Sequence, residues 1–270
     1  MAKVKIIVAT TKKYRMPDDG MYMPVQVGAE KAKILIPEYE KDNSSEDNIS
    51  AKNSQYCELT GLYWAWKNVD ADFIGLVHYR RYFGSKHQGV SSDPFEKVIK
   101  QDELDEILKK SCVVVPTKRK YYIETLHSHY SHTHYEEQLV KTKSIIERKY
   151  PEYLESYEKA MSQTSGYMFN MMIMRRDILN KYCRWLFDIL DELEKELIDN
   201  KLDAYQGRYI GRVGELIFNV WLDHQMATGE ILRYQVQELP CIHMERINWF
   251  KKGAAFLRAK LFHKKYDHSF

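Results

Sequence analysis

The sequence predicts an α/β protein with a mostly parallel central sheet flanked by helices. Short apolar runs rich in β-branched residues, VKIIVAT, FIGLV and CVVVP, recur along the chain and end in polar residues. Stretches of helical period separate them. The stretch RRDILNKYCRWLFDILDELEKELIDN keeps a single apolar stripe over many turns. Strands alternating with helices build parallel sheets, whose ligands bind at the carboxyl ends of the strands.

Taken in order, residues 4–10 form a buried strand that opens into Thr10, Thr11 and Lys12. Residues 11–48 are rich in Pro, Gly, Asp, Asn and Ser and predict a long loop with one short strand at most, near residues 32–36. A helix follows, capped by Ser50 or Asn53, with Glu58, Leu59, Leu62, Tyr63 and Trp66 at helical spacing. The second buried strand covers roughly residues 72–79. DELDEILKK is a short amphipathic helix, and CVVVP is a strand closed by Pro116. Residues 121–161 are helical, broken before Pro151 because proline disfavours helix in the residue preceding it. Residues 165–174 read as one strand entered through Gly166. The longest helix follows, its stripe formed by Ile178, Tyr182, Trp185, Leu186, Ile189, Leu190 and Leu193. YQGRYIGR reads as a loop, GELIFNVWLDHQM as a helix beginning at Gly214, and residues 230–239 as a last strand.

With 270 residues, 44% of them hydrophobic and 29% charged, the chain has ample material for one large domain. A net charge of +3 argues against binding polyanions by bulk charge. No apolar run approaches the roughly 20 residues of a membrane span, and the N-terminus has no small-residue cleavage site, so a cytoplasmic protein is expected. Four dispersed cysteines without a CxxC read as buried free thiols. Twenty tyrosines offer flat faces and hydroxyls suited to sugars, bases or proteins. GxxxxGK[ST], the dinucleotide GxGxxG and GxSxG are all missing from the sequence.

The strand ending FIGLVHYRRYF places His78, Arg80 and Arg81 where an anion would bind. Guanidinium forks match phosphate oxygens and keep their charge. Alternation along an extended strand predicts that Arg80 and Arg81 point to opposite faces, leaving one in the site. Glu215, read as first-turn in its helix, would be stabilised by the helix N-terminus; it is either a helix-stabilising carboxylate or a catalytic base. His127, His129, His132 and His134 crowd HSHYSHTHYEEQ, but their spacing does not build one metal site from a single helix or strand. The tail from residue 248 to 270 carries Lys251, Lys252, Arg258, Lys260, Lys264 and Lys265 beside an apolar stripe of Phe250, Ala254, Leu257 and Leu261. Such a basic amphipathic helix either lies on an anionic membrane surface or docks on its own core.

NISAKNSQYCELTGLYWAWKN, FIGLVHYRRYF, YPEYL, GYMFNMMIMRRDILNKYCRWLFDIL and GELIFNVWL, in this order, resemble a bacterial polysaccharide-biosynthesis glycosyltransferase family first known as a domain of unknown function. Some of its members transfer galactofuranose. The resemblance runs from about residue 3 to about residue 245. It implies a GT-A-like fold over residues 1–247, with the segment 248–270 as an appended tail. By the GT-A pattern His78–Arg81 stands in the place of a metal-binding DxD, Ser165 and Gly166 match a glycine loop, Glu215 the catalytic carboxylate and His243 a late histidine. The departure is the missing acid: between Asp72 and Asp93 there is no Asp or Glu. Divalent cations need hard oxygen ligands, so arginine is expected to do the cation's electrostatic work, in a metal-independent or weakly metal-dependent enzyme with no other cofactor.

The resemblance and the residues together predict an inverting transferase that moves a hexose, galactofuranose or galactose, from a UDP-sugar to a hydroxyl of a lipid-linked surface glycan. Thr10, Thr11, Lys12, Lys52, Asn53 and Tyr56 would line the nucleotide. His78, Arg80, Arg81 and His243 would hold the diphosphate. Glu215 would act as base, while Ser165, Gly166, His134 and Tyr135 would face donor or acceptor. The tail would hold the protein at the inner face of the plasma membrane. Nucleic acid is not an expected partner, because no recognition motif is present. A non-catalytic binding protein of the same shape and a retaining transferase are the competing readings.

Overall fold

The computed structural model of the chain describes residues 2–87, 91–197 and 202–245. The basic tail, 248–270, lies outside them. Strands β1 (Val4–Thr10), β2 (Tyr22–Gln26), β3 (Glu40–Lys41), β4 (Phe73–His78), β5 (Arg81–Phe83), β6 (Val113–Pro116), β7 (Arg119–Lys120), β8 (Ser165–Gly166), β9 (Met172–Arg175), β10 (Val236–Leu239) and β11 (Cys241–His243) follow in chain order. The helices are α1 (Asn53–Tyr56), α2 (Leu59–Asn68), α3 (Gln101–Leu108), α4 (Leu126–Thr133), α5 (Glu137–Lys149), α6 (Leu154–Ser162), α7 (Arg176–Glu196) and α8 (Tyr209–Ala227).

The main sheet runs β10-β6-β9-β4-β1-β2-β3. All its strands point one way except β9, which pairs antiparallel with β4 and β6. Both faces are covered, as continuous apolar strands require. Ile7, Ala9, Ile74 and Leu76 pack under α2, α7 and α8. Ile6, Val8, Val77 and Val114 pack against α3 and the tyrosines after β4. The α7 stripe read from the sequence is buried along its length.

Several local expectations change. Residues 32–36 form no strand; the strand of this region is β2, with Pro24 inside it and its edge pairing supplied by β1 and β3. Ser50 does not cap a helix: its hydroxyl accepts the Glu30 N–H at 3.1 Å and bonds to buried Asp42. Asp42 also accepts from Gly28 N, Ala29 N and Thr60 Oγ1 at 2.8, 3.1 and 2.6 Å, which ties the long loop to α2. Asn53 heads α1 but gives no side-chain cap; its amide bonds to Cys57 O and Thr60 Oγ1. The expected strand over 165–174 is two, β8 and β9, separated by Phe169 and Asn170 in the left-handed region at φ 74° and 51°. The last strand shrinks to β10.

Gly75 sits in β4 where a Cβ would stand 2.9 Å from Ile173 Cγ1 and 3.1 Å from Met172 O. The carbonyl belongs to the sheet and cannot retreat. Gly75→Ala should therefore cost about 1–3 kcal/mol, read as a lower urea midpoint, whereas Gly20→Ala, with nothing within 4 Å, should leave the midpoint unchanged.

Candidate active site

A cavity of about 970 Å³ opens at the carboxyl ends of β4, β6 and β10. The sheet register explains its floor. His78 on β4 pairs with Arg81 on β5, and Arg81 pairs with His243 on β11, so three residues singled out in the sequence stand in one row. Arg80 joins them. Alternation does not separate the two arginines, because β4 ends at His78 and a tight turn through Tyr79 and Arg80 reverses the chain into β5. Tyr79 turns into the apolar cluster beneath the sheet, and Arg80 and Arg81 both line the cavity.

The roof is α8. It starts at Tyr209, so Glu215 lies in its second turn and the helix N-terminus is not beside it, contrary to the sequence expectation. Arg208, Arg212 and Glu215 follow at i, i+4 and i+7 and share the face toward the cavity. Gly211 and Gly214 let α1 and α2 approach that helix: a Cβ at Gly211 would meet Cys57 Sγ at 3.1 Å, and one at Gly214 would meet Leu59 Cδ1 at 2.8 Å. The close approach brings Cys57 and Glu58 to the cavity wall.

Seven lysines and arginines line this space against two carboxylates, Glu58 and Glu215. Among the described residues none of Arg81, Lys118, Arg119, Lys120, Arg208 and Arg212 ion-pairs with a carboxylate, and Arg80 reaches only Glu245, at 3.7 Å. Ring faces hold the guanidiniums: Arg81 lies 4.5 Å from the Phe169 ring, Arg212 4.2 Å from Tyr205 and Arg119 4.8 Å from Tyr121. Arg80 Nε, Arg81 Nε and Arg212 Nη1 are buried without a hydrogen-bond partner. Buried donors of this kind are normally satisfied, so the cavity has donors available for an anion.

Glu215 faces the cavity with protein packed around it. Burial, then the nearby Glu58 carboxylate, pushes its pKa up to about 7, while the Phe169 N–H, donated at 3.1 Å, and the charges of Arg81 and Arg119 pull it down. Burial and the arginines around it hold His78 down at about 3. Its imidazole is neutral; Nδ1 accepts the Arg80 N–H at 3.4 Å, so the ring offers a donor at Nε2 and no charge. The strand end therefore holds a neutral imidazole and two guanidiniums, a set that does not fit a divalent cation. Among the described residues no group of three or more His, Cys, Asp or Glu could hold a metal. The clustered histidines do not converge on one point: His129 and His132 share Glu124, at 3.2 and 2.7 Å, while His127 contacts Glu136 at 3.4 Å and His134 contacts Gln206 at 2.9 Å.

The other residues named from the sequence divide. His134 and His243 line the cavity. Ser165 and Gly166 pair with Lys120 and Arg119 just behind it. Thr10 is buried and its hydroxyl donates to Lys12 O at 2.6 Å; Lys12 Nζ lies over the rings of Tyr14 and Tyr79. Thr11 and Tyr135 are exposed. Lys52 pairs with Glu194 at 2.6 Å, and Tyr56 donates to the same carboxylate at 3.1 Å. These two and Asn53 do not line the cavity. Arg119, Arg208, Arg212, Glu58 and Phe169 do, and the sequence reading passed over them.

A largely parallel sheet with one reversed strand, and a basic cleft at its carboxyl edge, make an α/β fold that this chain shares with a glycosyltransferase. The apo structure of the bifunctional glycosyltransferase WbbM has this fold, with a TM-score of 0.82 and 28% identity over 90% of this chain. The match covers 46% of WbbM, so this chain spans about half its length. The chain belongs to the family described as a domain of unknown function, DUF4422, whose model matches residues 5–226. No curated protein matches the chain.

A carboxyl whose folded pKa is raised contributes stability that is fully present below its unfolded pKa and is lost as pH rises through the folded value. Glu215, near 7, should therefore cost stability between about pH 5 and 8. Gln can still accept the Phe169 N–H but cannot ionise. Glu215→Gln should gain about 2 kcal/mol relative to the native chain across that window, measured as denaturation midpoints against pH; parallel curves would refute the assignment.

Proposed function

We propose that this protein is an inverting glycosyltransferase that moves a hexose from a UDP-sugar, with UDP-galactofuranose the first candidate, to a hydroxyl of a surface-polysaccharide acceptor. The observation that carries the reading is the buried, unpartnered Nε donors of Arg80 and Arg81 in the cavity that Glu215 also lines, with the Glu215 pKa near neutrality. Similarity to a bifunctional glycosyltransferase supports it.

In this reading the donor diphosphate lies against Arg80 and Arg81, with His243 and the neutral imidazole of His78 as further contacts. The acceptor hydroxyl attacks the anomeric carbon as the bond from that carbon to the diphosphate oxygen breaks. UDP leaves with the electron pair, and Glu215 takes the hydroxyl proton. A base with pKa near the working pH combines deprotonation with proton affinity. Fixed guanidiniums stabilise charge that grows on the leaving group without reorganising, and the diphosphate needs no divalent cation from the protein. Thr10, Thr11 and Lys12, at the neighbouring strand end, remain the nucleotide-side candidates. Among the described residues no helix is long and apolar enough to cross a membrane; the tail is proposed to hold the protein against the inner leaflet through its six basic residues.

Calorimetric titration with UDP should give binding that EDTA leaves unchanged. Arg81→Gln should weaken it about 10- to 100-fold, the worth of a charge-assisted contact. Glu215→Gln should keep UDP affinity and lose turnover of UDP-galactofuranose. Binding that appears only with Mn²⁺ would sink the arginine-for-metal reading, and turnover retained in the Gln variant would remove Glu215 as base.

A further inference from the structure

Six of the seven cations that line the cavity, all but Arg212 on α8, fall into two groups, and one diphosphate accounts for one of them. The first group is Arg80 and Arg81 after β4, with Arg208, whose charge also bears on His78. The second is Lys118, Arg119 and Lys120 on the chain leaving β6. In the sheet β4 and β6 stand on either side of β9, a separation of about 10 Å at two strand spacings. Glu215 lies between the groups: it accepts the Phe169 N–H at 3.1 Å on the chain that enters β9, the strand that separates β4 from β6. A base placed there has the donor on its Arg81 side and the attacking hydroxyl on its Arg119 side.

We propose that the Arg119 side of the cavity is an acceptor subsite for an anionic glycan, one carrying a phosphate or carboxylate close to the sugar whose hydroxyl reacts. Lys118, Arg119 and Lys120 have no carboxylate within ion-pair distance among the described residues, and ring faces of Tyr167 and Tyr121 hold the first two. Tyr122 follows at the rim in the left-handed conformation, φ 60°, with 81% of its surface exposed. An exposed tyrosine ring beside a cationic strand supplies the two contacts an acidic sugar needs, an apolar face for the ring and donors for the charge. The first group alone outnumbers the charges of a sugar nucleotide's diphosphate, so the second group is left for another anion. The inference rests on the donor reading above and adds the chemistry of the acceptor.

The test titrates the full-length protein, saturated with UDP, with three probes: a methyl glucuronide, a hexose 1-phosphate and a neutral methyl hexoside. One or both charged probes should bind at least 10-fold more tightly than the neutral one, and the better of the two identifies carboxylate or phosphate as the charge. Arg119→Gln should abolish that preference and leave UDP affinity unchanged, while Arg81→Gln should do the reverse. Equal binding of all three probes overturns the proposal. So does an Arg119→Gln loss of UDP affinity as large as that of Arg81→Gln, because the two groups would then hold one ligand. If UDP itself fails to bind the native protein, the donor reading falls and takes this inference with it, a result separate from the other two.

Discussion

The constraint on which the site depends is that, among the described residues, a half-buried cluster of arginines is left without carboxylate partners, save for Arg80, which reaches Glu245 at 3.7 Å. Elsewhere the chain pairs its cations: Lys52 with Glu194, Arg148 with Glu192 and Glu196, Lys149 with Asp188. Around the cavity it supplies aromatic faces in their place. A ring face offsets part of the desolvation of a guanidinium without occupying its N–H donors. A carboxylate would have satisfied the same arginines, at the cost of competing with any anion that entered. The fold meets the remaining cost with rigid placement, since the row His78, Arg81 and His243 is fixed by strand register and not by loops.

One short turn joins the parts of this arrangement. Phe169 and Asn170 are consecutive non-glycine residues in the left-handed region, a conformation that costs of order 1–3 kcal/mol per residue. The turn is held by the Asn170 amide, which donates to Glu58 at 2.8 Å and to Gly211 O at 3.0 Å. It delivers the Phe169 N–H to Glu215 and the Phe169 ring to Arg81 and His243. Glu215, proposed as the base, Glu58, which raises its pKa, and Arg81 opposite are thus tied to one another through two residues. Strain concentrated where three functional side chains meet fits a pre-organised site better than an accident of chain reversal.

The fold was largely legible because burial on both faces writes itself as apolar runs, and a strand end followed by HYRRY marks itself. The second cationic group follows the same rule: TKRK comes directly after CVVVP, as HYRR comes after FIGLV. A short run of lysine and arginine after a proline also reads as an ordinary solvated turn, so the pattern alone does not single it out. Arg208 and Arg212 were hidden by a boundary. Starting the helix at Gly214 left them in a loop, whereas a start at Tyr209 puts them on the face of Glu215. Alternation failed for Arg80 and Arg81 because it holds only while the strand lasts. Phe169 and Glu58 had no local signal at all. Their roles come from a left-handed turn and from a close helix approach, and both are tertiary facts.

The same geometry couples the base to the anion. Arg81 and Arg119 now lower the Glu215 pKa against burial and Glu58, which raise it. On the proposed reading, a diphosphate at Arg80 and Arg81 cancels part of that positive field, and an anionic acceptor at Arg119 cancels more. Each step strengthens the affinity of Glu215 for a proton. In the proposed mechanism the carboxylate would be a moderate base in the empty cavity and a stronger one once both substrates are seated, next to the hydroxyl whose proton it would take. As long as the pH stays high enough to keep Glu215 ionised, catalytic strength rises with occupancy and needs no moving part. That result requires the imbalance of charge with which the site begins, because arginines already neutralised by carboxylates would have left Glu215 indifferent to what binds beside it.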